Sequence, residues 1–116
     1  MKSYTDLEQS KKLAEFLSIE SADTCFNTHN NMPPLMTPYK RFKEFFDMEP
    51  TPAFLIPCWS LAVLMDVLER GALFKTSQGW TCQFYTDLKV ITIDYHSNPV
   101  DACYEMIIKL HEQNLL

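Results

Sequence analysis

The sequence predicts an α+β fold in which a three-stranded antiparallel meander packs with a buried central helix, a C-terminal helix and an N-terminal helix. Three observations support this fold class: an apolar stretch from Pro57 to Gly71, two runs of alternating polarity after it, and a strongly capped helix that begins near Asn98. A length of 116 residues predicts a single domain over 1–116.

The central helix is predicted over Pro57–Gly71. Proline suits the first helical position, where its missing amide costs nothing, and Gly71 suits a left-handed residue just past the helix end. The apolar side chains lie on almost every side of such a helix, which predicts burial on more than one side. They are Cys58, Trp59, Leu61, Ala62, Val63, Leu64, Met65, Val67 and Leu68.

The meander is predicted from three strand-like runs that follow this helix: Leu73–Thr76, Trp80–Tyr85 and Lys89–Tyr95. The second and third runs alternate between apolar and polar residues, as half-buried strands do. The connections Ser77–Gly79 and Thr86–Leu88 are too short for a crossover, so consecutive strands must be antiparallel neighbours.

The two terminal helices are predicted from their capping residues. At the N-terminus, Thr5 and Glu8 have the spacing of a capping box, which predicts a helix that continues to about Leu17. At the C-terminus, Asn98 is the predicted N-cap, and Pro99 and Asp101 occupy the first turn.

The middle of the chain, about residues 30–57, contains six of the seven prolines and is predicted to be an ordered but irregular wrap. It leaves room for one short helix, Tyr39–Asp47, in which three phenylalanines share a face. Those residues, the predicted binding surface, are Phe42, Phe45 and Phe46. Before this segment, Thr24–His29 has the composition of a short strand, although Asn27 is typical of a turn.

Composition and charge make several classes of binding partner unlikely, namely nucleic acids, membranes and cofactors. The net charge of −5 and the pI near 5.0 make nucleic-acid binding unlikely, since phosphate recognition relies on a basic surface. No signal-peptide pattern or membrane span is visible, so we expect a cytoplasmic protein with no membrane association. With only Gly71 and Gly79, no glycine-rich phosphate loop exists, and no cofactor is expected. The four cysteines, each in an apolar context, are expected to be reduced and buried.

Three stretches carry a family resemblance: S-Y-T-D-L-E-Q-S-K-K-L-A near the N-terminus, P-C-W-S-L-A-V-L-M-D-V-L at 57–68, and N-P-V-D-A-C-Y-E-M-I-I-K-L-H-E at 98–112. Together they resemble a family of small uncharacterised proteins from gut bacteria, their phages and mobile elements. The resemblance implies a bacterial or phage cytoplasmic setting. It implies no activity, and no catalytic residue is carried over from it.

The strongest chemical candidate in the sequence is Cys58, which would open the predicted central helix. The positive end of a helix favours a thiolate, and cysteine hydrolases of the papain-like kind use this geometry. In that alternative His96 would be the base and Asn98 or Asp94 would orient it. The competing interpretation is that Cys58 belongs to the core.

Metal binding has weak support in the sequence, because no two close pairs of ligands are present. The candidate pairs are Cys25 with His29 and Cys103 with His111, and no metal is predicted.

The leading functional expectation is a small non-enzymatic protein that acts through protein–protein contacts, as an interaction or regulatory module. No pattern of residues typical of catalysis stands out, and the edges of a meander invite pairing with another chain. A protein partner or a homodimer is therefore expected.

Overall fold

The computed structural model describes residues 2–27, 35–36 and 55–116, and these residues have the α+β class that the sequence predicts. They group into two compact units, one that contains residues 4–27, 35–36 and 55–63 and another that contains residues 2–3 and 64–116. The elements, in chain order, are α1 (Leu7–Leu13), a 3-10 turn (Ile19–Ser21), β1 (Thr24–Asn27), β2 (Leu35–Met36), β3 (Leu55–Cys58), α2 (Leu61–Val67), β4 (Gly71–Thr76), β5 (Gly79–Tyr85), β6 (Val90–Thr92) and α3 (Pro99–Glu112).

A small antiparallel sheet organises the first unit, with strand order β2-β1-β3. The short strand expected after residue 23 is confirmed as β1, and Thr24 pairs with both Met36 and Cys58. Sequence analysis missed β3, because it contains Pro57. Proline is tolerated in a strand at a sheet edge, where its missing amide donor breaks no ladder bond. The wrap predicted for residues 30–57 is therefore not irregular throughout.

The N-terminal helix α1 is confirmed, but its predicted cap is displaced by one residue. Asp6, not Thr5, is the N-cap: its carboxylate accepts from the Gln9 amide at 2.8 Å, and the Gln9 side chain accepts from the Asp6 amide at 3.1 Å. The helix ends at Leu13 rather than near Leu17, and the chain continues in turns to the 3-10 segment.

Thr5 does not cap the helix. It is fully buried, and its hydrogen bonds connect the N-terminal segment to the chain around Trp59. Its hydroxyl accepts from the Trp59 amide at 3.0 Å and lies 2.8 Å from the Ser10 hydroxyl, while its own amide donates to the Trp59 carbonyl at 2.9 Å. The indole nitrogen of Trp59 donates to Ser21 at 2.9 Å. These bonds satisfy polar groups that would otherwise be costly to bury.

The central helix differs most from its prediction. The helix α2 begins at Leu61, because Pro57 and Cys58 belong to β3. The side chain that binds its N-terminal end comes from a residue distant in sequence. The Asp23 carboxylate accepts from the Ser60 amide at 2.9 Å and from the Ser60 hydroxyl at 2.6 Å. Leu64 is the one α2 residue that is fully buried, whereas Ala62 and Asp66 are exposed, so burial on more than one side is not observed.

Gly71 opens β4, and it does not have the left-handed conformation that the sequence predicted. The small size of Gly71 is needed instead because Leu68 lies very close to it. A Cβ atom at this position would lie 3.0 Å from the Leu68 Cβ and 3.1 Å from the Leu68 carbonyl oxygen. The chain therefore turns tightly from Leu68 into the strand, and the Gly71 amide donates to the Leu68 carbonyl at 2.8 Å.

The second unit contains the predicted meander, which is confirmed with strand order β4-β5-β6 and antiparallel pairing throughout. The register places Leu73 opposite Cys82 and Phe84 opposite Ile91. β4 is longer than predicted and β6 is shorter. Beyond β6 the chain makes one further bridge, between His96 and Trp80.

The helix α3 packs on the meander and agrees with its prediction at every capping position. Asn98 is the N-cap, its side-chain oxygen accepts from the Asp101 amide at 2.9 Å, and Pro99 opens the helix. The buried residues recur along one face, as the helical period requires. They are Val100, Cys103, Met106, Ile107 and Leu110, with Pro99 and Ala102 buried beside them.

The predicted helix Tyr39–Asp47 lies outside the described residues. The same holds for its proposed binding face, Phe42, Phe45 and Phe46. Both stay predictions.

Candidate functional site

Cys58 lacks the surroundings that a nucleophile needs. It lies in β3 rather than at the start of a helix, and it has no exposed surface. The Thr24 hydroxyl lies 2.6 Å from its Sγ atom and donates to its carbonyl at 3.0 Å. Burial raises the pKa of the Cys58 thiol to about 12, and the hydrogen bond with Thr24 opposes this only in part. The structural premise of the hydrolase hypothesis is therefore wrong.

The other residues of that hypothesis have structural roles in the second unit. The backbone of His96 donates to and accepts from Trp80, at 2.7 and 2.8 Å. The His96 ring bonds through Nε2 to the Glu105 carboxylate. Asn98 caps α3, and Asp94 is exposed. No observation on these residues favours a role in catalysis.

A cleft at one end of the second unit is the best candidate for a binding site. It has a volume of about 910 Å³, and it is formed where the β5–β6 connection meets the end of α3 and the residue before β4. Its lining is mainly apolar in area, with charged groups among the contributing residues. They are Arg70, Phe84, Thr86, Asp87, Leu88, Lys89, Gln113 and Leu115.

Leu88 projects from the β5–β6 connection with 96% of its side chain exposed, more than any other large apolar residue among those described. The connection itself is well ordered by Thr86. The Thr86 hydroxyl accepts from the amides of Leu88 and Lys89 at 3.3 and 3.0 Å and lies 2.9 Å from the Lys89 carbonyl oxygen, to which the Thr86 amide also donates at 2.9 Å. The turn thus holds Leu88 in solvent at a defined position.

The other side of the cleft depends on how α3 ends. Asn114 has a φ of 57°, in the left-handed region, which asparagine adopts more readily than most residues. This reverses the chain, so that the Leu115 amide donates to the Leu110 carbonyl at 2.8 Å. Leu115 then lines the cleft with 43% of its surface exposed.

Charged side chains border the apolar part of the cleft. Arg70 donates to the Asp87 carboxylate at 2.9 Å, but both side chains are more than half exposed, so the pair contributes little to stability. Lys89 is exposed beside them. These groups are available to orient a bound partner.

Sequence reasoning missed this cleft, although two local signals point to it. One is a large apolar residue, Leu88, in a turn, where glycine, proline and small polar residues are more usual. An asparagine that follows the last helical turn, such as Asn114, is a known C-terminal signal. Neither signal shows that the two segments lie together, because the chain between them contains β6 and all of α3.

Among residues 2–27, 35–36 and 55–116, no group of three or more His, Cys, Asp or Glu side chains is placed to hold a metal ion. Within the same ranges, every helix is too short or too polar to cross a bilayer. All four cysteines are buried and unpaired by disulfides, as predicted.

The chain matches no protein-family model, no curated protein and no solved structure. The resemblance to small proteins of gut bacteria, phages and mobile elements therefore stays a prediction.

Proposed function

We propose that this is a non-enzymatic protein of the cytoplasm that acts by contact with another protein, and that the cleft beside Leu88 is its contact surface. The observation that carries the proposal is Leu88 itself, 96% exposed on a turn that Thr86 holds in place. The partner is a different protein or a second copy of this chain.

The energetic argument rests on the order of the turn. Burying a leucine side chain contributes about 1.5–3 kcal/mol. A flexible loop would lose part of this gain to the entropy of becoming ordered, whereas a turn that is already hydrogen-bonded does not. Leu88 therefore has the properties of an anchor residue, and the mainly apolar cleft next to it offers further area to bury.

The surroundings of the cleft resemble the anatomy of a protein interface. An apolar centre formed by Phe84, Leu88 and Leu115 is bordered by Arg70, Asp87 and Lys89. Charged residues at the rim of an interface contribute mainly to orientation and to the rate of association.

The adjacent strand β6 provides a second means of contact. It is an outer strand in the order β4-β5-β6, and Val90, next to the turn, is half exposed. Outer strands carry backbone groups that can pair with an added strand. A partner seated in the cleft would lie next to these groups.

The proposal is tested first by light scattering of the full chain over a range of concentrations, with Leu88→Asp as the variant. If the partner is a second copy, the native chain dimerises and the variant stays monomeric. The matched control is Ile19→Asp, which removes a similarly apolar, exposed side chain from the other unit. Loss of dimer in both variants would contradict the role of the cleft.

If the native chain is monomeric, a photoreactive amino acid at position 88 tests for a different partner in the cells that make the protein. We expect a discrete cross-linked protein from position 88 and none from the exposed position 11, on α1 in the other unit. Absence of both dimer and discrete cross-link would refute the proposed function.

A further inference from the structure

The two outer strands of the meander differ in how their edges are protected. On β6, which is only three residues long, the Thr92 carbonyl accepts from the Lys109 ammonium at 2.7 Å. On β4, which is six residues long, no side chain within the described ranges bonds to the edge in this way. Native sheets commonly protect an outer strand with lysine. β4 is thus the longer and the less protected edge.

The hydrogen bonds of β5 show which backbone groups of β4 point away from the sheet. Lys75 lies opposite Trp80, yet the amide and the carbonyl of Trp80 bond to His96 on the other side of β5. Backbone groups alternate in direction along an antiparallel strand, so those of Lys75 and of Leu73 point outward from β4. Each of these two residues therefore offers an amide donor and a carbonyl acceptor to a further strand.

The side chains of β4 leave this edge open. The Lys75 ammonium lies over the ring of Trp80, on the neighbouring strand, 5.6 Å from the ring centroid. Phe74 points to the opposite face of the sheet, because side chains alternate along a strand, and 41% of its surface is exposed. A lysine that lies inward over the sheet does not block the edge, and the exposed phenylalanine beside it offers apolar area to a partner.

We propose that β4 pairs with β4 of a second copy of this chain, antiparallel and about a two-fold axis, so that two three-stranded meanders form one continuous sheet. The pairing places Phe74 opposite the partner's Phe74, and Leu73 opposite the partner's Lys75. The paired residues include none that line the cleft, so this surface is additional to the proposed function and does not depend on it.

The residues of β4 select this register among those that a two-fold axis allows. A register centred on Lys75 would place two like charges opposite each other, which is unfavourable. A register centred nearer the start of β4 would need Gly71, whose amide already donates to the Leu68 carbonyl at 2.8 Å. Centred on Phe74, the pairing lets Leu73 and Lys75 bond through all their outward groups.

A second copy suits this edge better than a flexible peptide does. β4 of the second copy is already an extended strand, whereas a disordered peptide would lose conformational entropy on pairing. The two Phe74 side chains meet in a pair without backbone bonds, where side chains of an antiparallel sheet are closest and aromatic pairs are favourable. A single strand edge is smaller than a standard interface of about 800 Å² per partner, so we expect a dimer of micromolar affinity.

The test is amide hydrogen exchange of the full native chain, followed by NMR at two concentrations that light scattering shows to be mainly monomeric and mainly dimeric. We expect the Leu73 and Lys75 amides to exchange at least about fivefold more slowly in the dimer, because each gains an acceptor. The Val90 amide, on the other outer strand, is the internal control and should not change. A chain that stays monomeric up to about 1 mM overturns the proposal, and so does exchange at Leu73 and Lys75 that is independent of concentration.

Phe74→Asp provides a second measurement, because it places two carboxylates opposite each other at the axis and should give a monomer. The matched control is Tyr85→Asp, which removes a similarly exposed aromatic side chain from the inner strand β5 and should leave the dimer intact. Circular dichroism shows whether both variants are folded, and amide exchange of the native chain decides if Phe74→Asp is not.

The same measurements separate this edge from the cleft. A dimer that survives Leu88→Asp but not Phe74→Asp supports self-pairing of β4 and leaves the cleft to a different protein. A dimer that survives Phe74→Asp but not Leu88→Asp assigns self-association to the cleft, which overturns the pairing of β4 and keeps the proposed function. Equal loss of dimer in Phe74→Asp and Tyr85→Asp also contradicts a specific role for β4.

Discussion

Gly79 has a backbone that only glycine adopts without strain, and a neighbour that leaves no room for a side chain. Its φ is 125°, and a Cβ atom there would lie 2.5 Å from the carbonyl oxygen of His96. That oxygen accepts from the Trp80 amide at 2.8 Å, so it cannot withdraw without breaking the bridge beyond β6. The turn that precedes β5 and the bridge beyond β6 thus depend on the same residue.

We expect Gly79→Ala to lower the free energy of unfolding by at least about 2 kcal/mol, since strain and steric overlap add together. Gln78→Ala, in the same turn but exposed, should change it by less than about 0.5 kcal/mol. Urea denaturation followed by circular dichroism measures both. Equal stability of the two variants would show that the His96 contact does not constrain the turn.

Cys58 should make stability depend on pH in the alkaline range. Its folded-state pKa is raised to about 12 from an ordinary value of 9.0. The folded state therefore favours the protonated thiol, and the contribution to stability is complete below pH 9.0 and is lost between about pH 9 and pH 12. The loss from this thiol between about pH 8 and about pH 10 is roughly 1.4 kcal/mol.

The measurement compares the native chain with Cys58→Ala by urea denaturation at these two pH values. The variant is expected to be less stable at about pH 8, because it leaves a cavity. It should, however, lose roughly 1.4 kcal/mol less than the native chain as the pH rises. Parallel pH profiles would mean that Cys58 titrates normally in the folded state, and would reopen the question of its reactivity.

Among the elements, α3 shows how far a local signal extends. Asn98 both accepts from the Asp101 amide at 2.9 Å and donates to the Asp101 carboxylate at 2.8 Å, and Lys2 also donates to that carboxylate at 2.8 Å. Both partners of the cap lie within one turn, so the sequence alone predicts the start of the helix.

We expect Asn98→Ala to destabilise the protein by about 1 kcal/mol, because the Asp101 amide loses its acceptor. Asn98→Ser retains an acceptor and should recover at least half of that loss. Thermal unfolding monitored by circular dichroism distinguishes them. A serine variant as unstable as the alanine variant would assign the effect to the bond with the Asp101 carboxylate rather than to the cap.

The same kind of signal failed at Pro57, for a physical reason. A proline before an apolar run is compatible with the first turn of a helix and also with an outer strand, and local sequence cannot decide between them. Strand pairing determines which structure forms, because Cys25 lies opposite Pro57 and Thr24 lies opposite Cys58. These two partners come about thirty residues earlier in the chain. The helix that follows takes its cap from Asp23, which is equally distant in sequence.

At the scale of the whole molecule, features set by residues close in sequence could be predicted, and features set by residues far apart in sequence could not. The α+β class and the meander were predictable, because alternating polarity and short turns determine which strands are neighbours. The cleft was not, because Leu88 and Leu115 are brought together only after α3 has packed on β5.

The paired contacts between Thr5 and Trp59 have a consequence for how the chain folds as it is synthesised. Residue 5 leaves the ribosome more than fifty residues before its partner does. Until Trp59 emerges, Thr5 has Ser10 as a partner but lacks both backbone groups of Trp59, and a seven-residue helix is marginal by itself. The first unit therefore cannot be completed before residue 59 has emerged, and until then its nascent N-terminal segment is exposed to chaperones and proteases.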